Sequence, residues 1–180
     1  MTVHHFTPYS VEKNLGKAYN DCFEMIGDDD WCCLRDMDTM FLTPDAGDIV
    51  FNYAYQNPGC VLTCYTNRIH PLAMEQLVSG TLINSPELLS HIEISNYKKG
   101  KNIYQTTKLT GPLSGFLMLL SKKVWRTIGG FDENIGLLGV DTDFYKRVRQ
   151  AQIPVLRMDG LYIWHTYRLG KDIKDTTHLK

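Results

Sequence analysis

The stretch Trp31-Cys32-Cys33-Leu34-Arg35-Asp36-Met37-Asp38 decides how this chain is read. Its opening run, Trp31 to Leu34, is apolar, too short for a helix and preceded by a turn, so it reads as a strand buried on both faces. The carboxyl end of that strand carries Asp36 and Asp38. In extended backbone, residues i and i+2 point to one side about 6.6 Å apart, which aims both carboxylates at a common point. At that spacing two unit charges repel by about 2.5 kcal/mol at an effective dielectric of about 20, a cost that a shared divalent cation reverses. Strand ends of this kind are also where open α/β sheets bind ligands. Taken alone, a pair of aspartates at a strand end reads more readily as solvated turn residues.

On the amino-terminal side, Thr2 to Phe6 is a short β-like stretch ending in the turn Thr7-Pro8-Tyr9-Ser10. From Lys13, the positions Leu15, Ala18, Tyr19, Cys22 and Ile26 recur at helical spacing until Gly27. On the carboxyl side, Thr43-Pro44 opens a helix that runs to about Gln56 and stops at Asn57-Pro58-Gly59. Cys60 to Tyr65 then reads as a second buried strand. This strand, helix, strand alternation predicts an α/β layer fold with largely parallel strands.

Between Thr66 and Thr110 the pattern weakens. Ser85-Pro86 opens a helix ending near Lys99-Gly100, and Ile103 to Leu109, which has no firm period, suits a variable or mobile loop. Phe116 to Leu120 is a third apolar strand, and Lys122 to Ile128 a short helix ended by Gly129-Gly130. Asp141 to Ala151 is predicted helical, with Phe144, Val148 and Ala151 on one face. Val155 to Met158 and Leu161 to Trp164 close the chain as short strands.

Composition narrows the function classes. A chain of 180 residues makes one domain with a real core, and 43% apolar with 22% charged residues is ordinary for a soluble globular protein. Lys plus Arg number 19 against 20 for Asp plus Glu, too even a balance for a binder of nucleic acid. The longest apolar run, Phe116 to Leu120, falls far short of the ~20 residues that span a bilayer, and no targeting segment opens the chain, so a cytoplasmic protein without a transmembrane segment is expected. Cys22, Cys32, Cys33, Cys60 and Cys64 form no CxxC pair and are odd in number, which fits buried free thiols.

About a hundred residues after the first aspartate pair comes Gly139-Val140-Asp141-Thr142-Asp143-Phe144. Residues two apart on a helix project about 200° apart, so one of Asp141 and Asp143 is expected to be structural, and either one also suits a first-turn acid facing the helix dipole. His165 follows an apolar strand in Tyr162-Ile163-Trp164-His165. A lone histidine is more often a packing residue, but beside two aspartates it supplies the nitrogen of a metal site.

Four blocks in order carry a family resemblance: Lys13 to Asn20, Trp31 to Leu42, Gly115 to Glu133, and Gly139 to Phe144. Together they resemble GT-A glycosyltransferases of the family 2 type, the nucleotide-diphospho-sugar transferases, over about residues 7 to 168. The resemblance implies a single compact domain, 1–180, with a mostly parallel central sheet flanked by helices. It implies a metal-dependent transfer of a sugar from a UDP- or GDP-linked donor to a hydroxyl of a glycan, lipid or protein, with inversion, and leaves room for a homo-oligomer. Asp36 and Asp38 match the DxD pair that holds Mn²⁺ or Mg²⁺ against the donor diphosphate, and His165 matches a late histidine that completes the metal shell. Asp141 matches the acid that deprotonates the acceptor. Thr7, Pro8 and Tyr9, with Lys13 and Asn14, match the donor side.

The chain departs from that pattern in ways that bear on function. Pro8 and Asn14 are six positions apart, where members carry a further strand and an acidic residue, so the nucleotide half is shortened. Val140-Asp141 stands where an acidic pair is common, and little sequence follows His165 for an acceptor domain. Two rivals follow: a non-catalytic sugar- or nucleotide-binding remnant, and a phosphatase of the haloacid dehalogenase type. The latter needs Thr or Val where Met40 stands.

Overall fold

The computed structural model describes residues 1–167. Residues 168–180, including Arg168 at the end of the matching blocks and His178, lie outside the described residues.

Strand β1 (Val3–Phe6) leads to α1 (Leu15–Glu24), β2 (Trp31–Arg35), β3 (Thr39–Phe41), α2 (Ala46–Gln56) and β4 (Val61–Thr66). After a 3₁₀ turn over Pro71–Gln76 come α3 (Leu88–Asn102), β5 (Thr106–Lys108), β6 (Leu117–Ser121), α4 (Lys122–Ile128), α5 (Val140–Gln150) and β7 (Val155–His165). One sheet orders the strands β1-β2-β6-β4-β7-β3, with β5 also paired to β7.

The sheet separates two apolar layers, and alternation along each strand feeds both. Trp31 and Cys33, Leu62 and Cys64, and Leu117 and Leu119 join Ile49, Val50 and Tyr53 of α2. Cys32 and Leu34, Val61, and Met118 and Leu120 face Tyr19 and Phe23 of α1, Val124 of α4, and Phe144 and Val148 of α5. Burial on both faces is why these strands read as unbroken apolar runs. Four of the five cysteines are buried and all are free thiols, as their spacing predicts.

The α/β reading holds, but the sheet is mixed. β1 with β2 and β4 with β7 are parallel, whereas β6 runs antiparallel to both β2 and β4. β1, β2, β4 and β7 therefore all point one way around a reversed β6. A strand buried on both faces has no sequence mark of direction, and so Phe116 to Leu120 gave no warning of the reversal.

Local chemistry explains most boundaries. Asn14 caps α1, its Oδ1 accepting from Lys17 N–H at 2.9 Å. Ser121 caps α4 by accepting from Val124 N–H at 3.2 Å, and Gly129 ends that helix at φ +81°. Helix α2 starts later than Thr43-Pro44 suggests, because the Thr43 carbonyl closes a turn onto Ala46 N–H before the helix begins. Ala151 ends α5 as an exposed cap, outside the predicted apolar face. The stretch Ile103 to Leu109 is not a free loop: Thr106–Lys108 pairs with Met158–Leu156.

Candidate metal and transfer site

Asp36 and Asp38 converge by a different route from the one the strand spacing predicts. β2 stops at Arg35, and Asp36 to Thr39 form a turn in which the Asp36 carbonyl accepts from Thr39 N–H (3.2 Å) and from its hydroxyl (2.7 Å). Met37, at the apex of this turn, is 76% exposed. The three-residue strand β3 that follows pairs antiparallel with β7, setting Thr39 opposite His165. Thr166 N–H then donates to the Asp38 carbonyl at 3.0 Å. The register of β3 on β7 is thus what carries His165 to the aspartates.

The three side chains offer ligand atoms that all lie within 4.8 Å of one another. His165 Nε2 is 3.2 Å from Asp38 Oδ1 and 4.0 Å from Asp36 Oδ2. His165 is buried, 2% exposed, under the ring of Phe116 (centroids 5.5 Å apart). Its Nδ1 lies 3.0 Å from the Arg68 carbonyl, which can only accept, so Nδ1 carries a proton. In the neutral ring, Nε2 therefore turns a bare lone pair toward two carboxylates, and it has no hydrogen-bond partner. Lone pair against carboxylate oxygen is repulsive, and a cation between them turns all three contacts attractive. Two carboxylates and one imidazole, with the far imidazole nitrogen tied to a carbonyl, fit a divalent ion.

The electrostatics agree. Asp36 is pushed up to about 6, first by desolvation from the surrounding protein and then by the charges of Asp38 and Asp141, against the opposing pull that His165 exerts when its ring is protonated. Tyr19, 3% exposed, is likewise raised by burial and by the same Asp36 and Asp141, so both carboxylates act on one point from different elements.

Asp141 lies in the first turn of α5, not in the loop before it. Its Oδ2 accepts from Gly115 N–H at 3.0 Å, and its Oδ1 from Thr142 N–H at 2.8 Å. The next residue, Phe116, accepts from Asp36 N–H at 3.0 Å, so a single turn of chain ties Asp141 to the aspartate turn. Asp143, on the same turn, is paired instead with Arg147 at 2.7 Å.

On the expected donor side, Phe6 pairs with Leu34, so Thr7, Pro8 and Tyr9 leave β1 at the end where Asp36 leaves β2. Tyr9 is 72% exposed, and Lys13 is exposed at φ +56°. Asn14 is spent on structure: besides capping α1, its Nδ2 donates to the Glu133 carbonyl at 2.8 Å, while Leu15 N–H reaches the Gly136 carbonyl. Asn67 and Arg68, which follow β4, carry no motif; Arg68 suits a sugar or diphosphate only by residue type, and Asn67 escapes sequence reasoning. Asn67 Oδ1 accepts from His165 N–H at 2.8 Å, and Arg68 Nε donates to the Tyr167 carbonyl at 2.7 Å. Their shared signal is position, just past the carboxyl end of a buried strand.

No protein-family model matches the chain, and no curated protein matches it. Among solved structures it is similar to a mutant of Drosophila β-1,4-galactosyltransferase 7 in complex with manganese, UDP-Gal and xylobiose, with a TM-score of 0.48 and 16% identity. The match covers 87% of this chain and 49% of that one, so the chain spans about half the length of that protein. The resemblance to GT-A glycosyltransferases stands on the four sequence blocks and on the Asp36, Asp38 and His165 group in an α/β fold.

Proposed function

We propose that the chain is a metal-dependent glycosyltransferase that moves a hexosyl or N-acetylhexosaminyl group from a UDP- or GDP-linked donor to a hydroxyl acceptor, with inversion. The observation that carries this reading is the buried His165 Nε2, which makes no hydrogen bond and lies 3.2 Å from Asp38 Oδ1 and 4.0 Å from Asp36 Oδ2. These three residues would hold the ion, and the imidazole nitrogen favours Mn²⁺ over Mg²⁺, which prefers oxygen ligands. When bound, such an ion stabilises the charge that develops on a departing diphosphate.

The remaining work falls to the chain. Asp141 is the base: Gly115 and Thr142 N–H groups hold one oxygen each and leave lone pairs free for an acceptor hydroxyl. Tyr9, Thr7 and Pro8 would line the donor side at the shared end of β1 and β2, with Lys13 beyond them. Asn14 would contribute by fixing the loop at Glu133 and not by touching the donor.

The test is release of nucleoside diphosphate from UDP- and GDP-sugars, with and without Mn²⁺. Asp38→Asn is expected to abolish the metal-dependent turnover and leave the fold intact. Equal turnover in EDTA, or an unaffected Asp38→Asn variant, contradicts the reading.

A further inference from the structure

The 3₁₀ turn Pro71–Gln76 ends in adjacent residues whose side chains reach across to one loop, residues 110–115. Glu75 gathers the near end: its carboxylate accepts from Thr110 N–H (3.1 Å), the Thr110 hydroxyl (2.7 Å) and Gly111 N–H (2.7 Å). Gln76, fully buried, holds the far end. Its Oε1 accepts from Ser114 N–H at 2.8 Å, and its Nε2 donates to the Ser114 carbonyl (3.3 Å) and to the Thr63 hydroxyl of β4 (2.8 Å). The loop packs closely at both ends: a Cβ on Gly111 would lie 2.9 Å from Glu75 Oε1 and one on Gly115 3.1 Å from Asp141 Cβ. Arg157 fastens the clamp to β7, donating to the Glu75 carbonyl and, at 2.8 Å, to Asp159.

The loop delivers two groups to the site as it ends. Gly115 N–H holds Asp141, and the Phe116 carbonyl holds the Asp36 amide. A buried amide such as Gln76 costs free energy unless every polar atom is paired, and here each one is used to pin this loop.

We infer that Glu75 and Gln76 are positioning residues that fix Asp141 relative to the Asp36, Asp38 and His165 group by clamping loop 110–115 at both ends. The inference rests on the reading of Asp141 as the base. The clamp sets the distance between the carboxylate that activates the acceptor and the group that holds the donor, and an error of 1 Å in such a distance can cost about 10²-fold in rate.

Gln76→Met keeps the volume and removes the hydrogen bonds. Its kcat is expected to fall about 10²-fold with the donor KM and Mn²⁺ requirement unchanged. In an Asp141→Asn background the same change should cost nothing further, because its effect passes through Asp141. Independently of activity, the Gly115 amide resonance of ¹⁵N-labelled protein should move and exchange faster in Gln76→Met. Should that variant fail to fold, Glu75→Gln enters the same cycle and the same spectrum. An equal loss in both backgrounds, or an unmoved Gly115 amide, overturns the inference. An inactive Asp141→Asn beside a wild-type-like Gln76→Met overturns it alone, whereas Asp141→Asn at the wild-type rate overturns the base reading and the inference together.

Discussion

A histidine with one nitrogen tied to a carbonyl and the other facing carboxylates is in an unfavourable place while its ring is neutral and no cation is bound, and beside it Asp36 bears a cost of its own, set by burial and by the charges of Asp38 and Asp141. Its carboxyl is raised from 3.8 to about 6, so the native state holds this proton more tightly than the unfolded chain does. The sign follows: stability from this group is present at low pH and is lost as pH rises from about 4 through about 6. In EDTA, Asp36→Asn should therefore melt higher than wild type at pH 7, with the gap closing toward pH 4. Mn²⁺ affinity of the wild type should rise over the same window, since proton and ion compete. Calorimetry across pH checks both, and a lower melting temperature for Asp36→Asn at pH 7 contradicts the account. The paired acids of α5 make a second contrast. Asp141→Asn should cut transfer by about 10²-fold or more while sparing donor binding. Asp143→Ala, which breaks an i,i+4 pair with Arg147, should cost only about 0.5 kcal/mol of stability and leave transfer unchanged. Comparing kcat and denaturation midpoints for the two variants separates the roles.

At the scale of elements, the long strand β7 shows what sequence patterning reached and what it missed. Val155 to Met158 and Leu161 to Trp164 read as separate short strands, yet the chain continues through Asp159-Gly160 as one strand. Pairing with β4 shifts between Cys64 and Tyr65, and Asp159 to Leu161 absorb the excess as a bulge. Gly160 is required for a reason invisible in sequence: a Cβ there would stand 2.6 Å from Ile103 Cα. Gly160→Ala should thus cost about 1–3 kcal/mol in chemical denaturation by forcing the end of α3 off the strand. A variant as stable as wild type would show that the two segments give way freely. β3 is the larger omission. Three residues hold no period, but their register on β7 brings His165 to Asp38. Helices with caps and amphipathic faces were legible, since their signals are local; bulges and short edge strands depend on distant partners.

Over the whole molecule, the site lies where β2 and β7 end and where β6 begins, so its members come from distant parts of the chain. Asp36, Asp38 and His165 stood out by residue type and position, whereas only the family resemblance singled out Asp141 over Asp143. Their connection through Phe116, Gly115, Gln76 and the Arg68 carbonyl was not, because backbone groups leave no trace in side-chain patterns. The reversed β6 makes that connection, presenting its first residues at the end where β2 finishes. A native fold that completes its own ligand set should be stabilised by that ligand through linkage. The most direct measurement is a thermal-shift screen of UDP, GDP, CDP and their sugar conjugates, each with Mn²⁺ and with EDTA, on wild type and Asp38→Asn. The account predicts a rise in melting temperature for one nucleotide class, present only with Mn²⁺ and absent in Asp38→Asn. No shift with any nucleotide, or a shift indifferent to EDTA and to Asp38→Asn, would contradict it.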